Sequence, residues 1–140
     1  MSGIYTAHTG HPFTVNQSNN NVGTNMTGLP NVIGDPSGPK TVDQWFNTAA
    51  FQAVPSGTFG NEQRNQLTGP GFQNVDLTVQ RQIRFNPRLA ATLRWDIFNV
   101  FNTVNFGLPN RDISSASTFG TISSLASDPR TMQIAVRLTF

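Results

Sequence analysis

Apolar and polar residues alternate most strictly in the C-terminal half of the chain. Between residues 75 and 85 the odd positions are Val75, Leu77, Val79, Arg81, Ile83 and Phe85, and the even ones Asp76, Thr78, Gln80, Gln82 and Arg84. Successive side chains on a strand point to opposite sides, so this pattern predicts a strand with one apolar face. Asn86-Pro87 stops the run where a tight turn is expected. Alternation then resumes, with Leu89, Ala91, Leu93, Trp95 and Ile97 on one face and Arg88, Thr92, Arg94 and Asp96 on the other. Two such runs about a short turn predict a hairpin over 74–99. Phe98, Val100 and Phe101 break the parity, as a bulge or strand end would. The last run is the cleanest: Met132, Ile134, Val136, Leu138 and Phe140 alternate with Gln133, Ala135, Arg137 and Thr139.

The N-terminal half carries less pattern. Residues 3–9 read as a strand, and 10–73 as a long loop dense in Asn, Gly, Pro and Ser from 16 to 39. Thr41-Val42-Asp43-Gln44 resembles a capping box and predicts one short helix near 41–47. A second loop fills 100–130, and a C-terminal strand 131–140. The fold class is all-β: an open antiparallel sheet of about four long strands, with 131–140 and 75–85 both pairing with 88–98.

Strand length and loop asymmetry narrow the class. The runs reach roughly 9–11 residues, the length a tilted strand needs to cross a bilayer. Strands of soluble sandwiches are usually about 5–6 residues, with turns at both ends. One end of this sheet carries a tight turn and the other carries long connections. Transmembrane barrels have short turns on the periplasmic side and long loops outside. With Phe140 on the periplasmic side, 10–73 and 100–130 are both extracellular. The expected architecture is the C-terminal part of a transmembrane β-barrel.

Composition agrees without deciding. Charged residues make up 11% of the chain, against about 25% in ordinary soluble domains. Low charge with abundant Asn, Gly, Ser and Thr suits barrel strands and surface loops, and secreted β-proteins as well. The formal charge is +2, Lys40 is the only lysine, and the arginines are scattered, so nucleic acid is not an expected partner. Cysteine is absent, which removes disulfides, Cys-ligated zinc and thiol chemistry. No stretch approaches the roughly 20 apolar residues of a membrane helix, but barrel strands escape such scans. Met1-Ser2-Gly3-Ile4-Tyr5 lacks the basic and apolar regions of an export signal. The expectation is therefore a piece of a longer chain.

With these residues in place, the sequence resembles the C-terminal end of a TonB-dependent outer-membrane receptor, in the Oar-like group that carries a carboxypeptidase-regulatory-like domain. The matching stretches include Thr9-Gly10-His11-Pro12-Phe13-Thr14, Leu29-Pro30-Asn31-Val32-Ile33-Gly34-Asp35-Pro36 and Trp45-Phe46-Asn47-Thr48-Ala49-Ala50-Phe51. Phe59-Gly60-Asn61, Arg64-Asn65 and Gly69-Pro70-Gly71-Phe72 through Asp76-Leu77 follow. Phe98-Asn99-Val100-Phe101-Asn102, Asn105-Phe106-Gly107, Phe119-Gly120-Thr121-Ile122 and Asp128-Pro129-Arg130 complete the ordered set. Each piece is weak alone, and the order is specific. The resemblance implies location in the bacterial outer membrane and uptake of a scarce nutrient. Its implied partners are outer-membrane lipid, the barrel-assembly machinery, the plug and remaining barrel of the receptor, and TonB. No cofactor is implied. The alternating strand Met132, Ile134, Val136, Leu138, Phe140, closing on an aromatic residue, looks like the signal read by the assembly machinery.

Other candidate chemistry is thin. His8 and His11 lack a nearby third ligand, and strand-end polar residues are the simpler reading. Gly69-Pro70-Gly71 has no Gly-Lys-Ser/Thr after it and reads as a turn. Asp35, Asp43 and Asp128 are too isolated for a calcium loop. No catalytic set can be argued from spacing, so the chain is not expected to be an enzyme. Trp95, Phe98 and Phe101 read as interfacial aromatics. Trp45, Phe46 and Phe51 are candidate ligand contacts in the long loop, set against packing of the loop upon itself. Arg81 is the misfit of the apolar face. In mid-bilayer it would cost about 2–4 kcal/mol, but near the interface only about 0–1, so it is expected near the periplasmic interface or at a bulge. The rival to a barrel segment is a soluble secreted β-module for carbohydrate binding or adhesion, with the apolar faces meeting in a sandwich core.

Overall fold

The computed structural model describes residues 1–18 and 27–140. Residues 19–26, part of the loop expected over 10–73, lie outside the described residues. The chain divides into two units. The first comprises residues 1–8, 72–105 and 125–140, and the second residues 9–71 and 106–124.

The first unit is an antiparallel sheet. Its strands are β1 (Ser2–His8), β6 (Phe72–Asn86), β7 (Leu89–Phe98) and β8 (Thr131–Thr139). They lie in the order β1-β6-β7-β8, so 75–85 and 131–140 both pair with 88–98 as expected. The tight turn forms around Asn86, whose side-chain Oδ1 accepts the N–H groups of Arg88 (2.9 Å) and Leu89 (2.8 Å). Asn is suited to this role because its short side chain mimics a turn carbonyl. The parity break after Ile97 is a strand end: β7 stops at Phe98, and Asn99 enters the left-handed region at φ 53°.

Among its described residues the second unit contains four two-residue strands: β2 (Pro12–Phe13), β3 (Asn31–Val32), β4 (Phe51–Gln52) and β5 (Leu67–Thr68). β2 pairs with β5 and β3 with β4. Its core consists of Phe13, Val15, Phe46, Ala50, Phe51 and Leu67. Phe46 stands edge-on to Phe51 and Phe119, with centroids 5.6 and 5.2 Å away. Such edge-to-face pairs suit the charge distribution of aromatic rings.

The helix expected near 41–47 is absent, and the one helical turn in its vicinity is a 3-10 turn at Thr48–Ala50. The local capping signal does form, since Gln44 N–H donates to Thr41 Oγ1 at 3.1 Å. Propagation fails one residue later. A helix would send the Trp45 N–H to the Thr41 carbonyl. It donates instead to the Gly120 carbonyl, 2.9 Å away.

Candidate functional site

The sheet aligns its alternating strands row by row. Gly3, Leu77, Ile97 and Met132 form one row, and Val79, Trp95 and Ile134 the next. Arg81, Leu93 and Val136 follow, then Ile83, Ala91 and Leu138. Side chains directly opposite on paired strands share a face, so one broad face is apolar across the sheet. Ile97 is buried near one end of it, but along β8 it is open: Ile134, Val136 and Leu138 are all exposed.

Arg81 is not at the bulge that was one of its two expected settings. The register is regular where it faces Leu93, and the hairpin's shift lies between Arg84 and Asn86. The row of Ile83, and Phe85 beyond it, separate it from the turn by about 13 Å of strand at ~3.3 Å per residue. The alternation that keeps Val79 and Ile83 on this face carries Arg81 with them.

The reverse face is polar. Its rows include Ser2, Thr78, Asp96 and Gln133, then Gln80, Arg94 and Ala135, then Gln82, Thr92 and Arg137. Asp96 accepts hydrogen bonds from Thr78 Oγ1 at 2.7 Å and from Arg94 Nε at 2.8 Å. These two donors hold the carboxylate in register on its strand.

Asparagines finish the end of the sheet opposite the tight turn. Asn99 donates its backbone N–H to Asp76 Oδ1 (2.9 Å) and its amide to the carbonyls of Thr103 (3.0 Å) and Asp128 (3.2 Å). Its Oδ1 accepts the Thr103 N–H. Asn105 both donates to the Gln73 carbonyl and accepts the Gln73 N–H, at 3.0 and 2.9 Å, as a neighbouring strand residue would. Asn102, also at positive φ, accepts the Arg130 N–H. Asn tolerates the left-handed region better than most residues, which suits it to abrupt strand ends. On the polar side of this rim a cavity of about 360 Å³ is lined by Asp76, Phe98, Asp128 and Asn74, among others. Its carboxylates can accept hydrogen bonds from hydroxyl or ammonium donors.

In the second unit, Phe46 and Phe51 are 1% and 6% exposed. As core residues they are not available to a ligand, which corrects their placement as candidate contacts. Trp45 is partly buried against that core. Its indole N–H donates to the Thr68 carbonyl at 2.9 Å, and Lys40 Nζ lies 5.2 Å from its ring. The carboxylates here are structural. Glu62 is buried, with Oε1 accepting the Val15 N–H at 3.3 Å and Oε2 without a partner among the described residues. Burial pushes its carboxyl above the usual range, against the opposing pull of the Val15 hydrogen bond. At Asp112 burial acts the same way, but hydrogen bonds from Ser18 and Ser114 outweigh it and lower the pKa. The Ser37 N–H lowers that of Asp35.

The remaining sequence candidates divide. Trp95 belongs to the apolar face, between Val79 and Ile134. Phe98 pairs with Thr131 and lines the Asp76 cavity on the other face. It is therefore not part of an apolar-face belt with Trp95. Phe101, 74% exposed, lies beyond the end of β7. Met132, Ile134, Val136 and Leu138 share the apolar face, and Phe140 follows the end of β8. His8 stacks on Phe72 with centroids 5.1 Å apart, and among the described residues no cluster of three or more His, Cys, Asp or Glu could hold a metal ion. The sequence reading missed Asn99, Asn102 and Asn105; their spacing of three residues immediately after an alternating run was the available signal.

The family described as outer membrane beta barrel domain matches residues 1–133. No curated protein and no solved structure matches the chain.

Proposed function

The chain belongs to the outer membrane beta barrel domain family, and from that premise we propose that it supplies wall strands and extracellular loops to a TonB-dependent nutrient transporter. The family places it in the bacterial outer membrane, which favours the barrel over the rival soluble β-module. The observation that carries the reading is the row-by-row alignment of one apolar and one polar face across β6, β7 and β8. An outer-membrane barrel turns the first face to lipid and the second to its interior. Among the described residues β1 and β8 each pair on one side only. In lipid such edges must be paired, so the sheet acts as part of a closed wall. The finer reading, energised transport through TonB, is supported by the ordered stretches from Thr9 to Arg130.

On this reading the segment is not an enzyme and binds no nucleic acid. Its partners are lipid, the rest of the barrel and its plug, TonB through them, and the barrel-assembly machinery acting on the strand from Met132 to Phe140. Two measurements test it. Site-specific cross-linking in cells should capture TonB on the full-length protein; failure to capture it under energised conditions would remove the TonB assignment. Deleting Phe140 should lower the outer-membrane level of the full-length protein without changing ligand affinity. An unchanged level rules out the assembly role.

A further inference from the structure

We propose that the polar face near the tight turn binds an oxyanion, a phosphate or carboxylate group carried by the transported solute, between Arg84 and Arg137. The inference rests on the reading of this face as the interior of a transporter, and it assigns the cargo a negative charge. Two successive rows build the site. Gln82, Thr92 and Arg137 make one, and Arg84, Ala90 and Thr139 the other. The central strand contributes Ala90 and Thr92, both partly buried, whose small side chains form a floor. The flanking strands contribute one exposed arginine from each side. With neighbouring strands about 4.8 Å apart, β6 and β8 stand about 10 Å apart across that floor. The offset of one row sets the two arginines diagonally over it. The register is regular through both rows, since its shift lies beyond Arg84.

Charge selects the occupant. Among the described residues, no row of this face between Asp96 and the turn contains a carboxylate. Arg94 is already bonded to Asp96 through Nε and takes no part. That pair is the ion pair formed among the described residues, so Arg84 and Arg137 have no carboxylate partner there. Asp76 lies toward the opposite end of the sheet, where it accepts the Asn99 N–H. A guanidinium binds phosphate or carboxylate oxygens through two parallel N–H bonds, and arginines lining a membrane pore favour anions. The Gln82 amide and the Thr92 and Thr139 hydroxyls add neutral donors beside them. A cationic or uncharged solute would leave both guanidiniums without a counter-charge.

The full-length protein in lipid nanodiscs is treated with phenylglyoxal, which modifies free guanidinium groups, and peptide mass spectrometry reads the extent at each arginine. Sodium pyrophosphate or citrate is titrated at an ionic strength held constant with sodium chloride. Each anion should protect Arg84 and Arg137 together and saturably, while Arg64 and Arg111, in the second unit, keep their reactivity. Arg137→Gln should weaken the protection of Arg84 about tenfold, the value of one hydrogen bond to a charged group. Arg88→Gln, in the turn, should leave it unchanged. Equal protection of every arginine would show ionic screening only and overturn the proposal. So would protection of Arg84 unaffected by Arg137→Gln in a barrel with unchanged circular dichroism. Arg84 and Arg137 unreactive before any anion is added would identify an acidic segment of the protein itself as their partner, and would overturn it as well. The TonB cross-link is read on the same protein without added anion, so failure of the anion site and failure of the TonB assignment are separate results.

Discussion

The two units place their apolar residues in opposite ways. In the sheet, Ile134 and Val136 are 68% and 66% exposed, while in the second unit Phe13 and Phe46 are each 1% exposed. The sheet's solvent for apolar groups is the membrane, so its pattern is read outward. The second unit must exclude water by itself, so its pattern is read inward. The difference also explains its Asn- and Gln-rich composition. Where strands are only two residues long, side-chain amides stand in for peptide groups. Gln17 exchanges two hydrogen bonds with the Val54 backbone, both 2.9 Å. Asn61 accepts the Val32 N–H and donates its own backbone N–H to Asn31 Oδ1. Low apolar content therefore does not prevent a core, because a few aromatic side chains supply it and amides satisfy the backbone around it.

The sharpest test is Phe46→Ala. Truncating a buried Phe costs about 3–5 kcal/mol, and hydrogen exchange on the full-length protein in lipid should show protection lost in the second unit but kept in 72–98. Joint loss would show one cooperative block and erase the contrast between the units. On the sheet the contrast predicts a face-dependent penalty. Leu93→Arg should cost about 2–4 kcal/mol if it lies near the bilayer midplane, while Thr92→Arg, on the polar face, should cost far less. Urea unfolding of the full-length protein from lipid vesicles measures both. In the same assay Arg81→Leu should stabilise, and the gain measures its depth: about 2–4 kcal/mol at mid-bilayer, about 0–1 near an interface. A loss of stability would show that Arg81 is paired in the assembled barrel.

Asn99→Ala should cost about 1–3 kcal/mol through lost hydrogen bonds and strain at positive φ. Asn99→Gly should recover only the strain, so a fully stable Gly variant would make the amide dispensable. The smallest expected effect is on pH dependence. Burial raises the Glu62 pKa in the folded state, so its ionisation opposes folding. Its contribution therefore becomes more favourable as pH falls from neutral through the folded pKa, and levels off below the unfolded value. Asp112, with its pKa lowered, acts in the opposite sense and loses its stabilising contribution in acid. The difference in stability between wild type and Glu62→Gln across pH isolates the first group. A difference independent of pH would mean that Glu62 does not titrate in that range.

The sequence by itself determined the sheet. A period of two can be read from one strand at a time, and the faces of 75–85, 88–98 and 131–140 follow from it, as does their meander order once Asn86-Pro87 marks the short turn. The tertiary structure decided what depends on distant partners. Trp45 gives its N–H to Gly120, 75 positions later, and so ends a helix that Thr41 and Gln44 had begun locally. Phe46 and Phe51 meet Phe119 across a similar gap, which turns candidate contacts into core. Phe98 reads as one more aromatic beside Trp95 until the register assigns it to the opposite face. In each case local pattern is carried by neighbours a few residues apart, whereas burial and hydrogen-bond partnership are set by which segments the chain brings together.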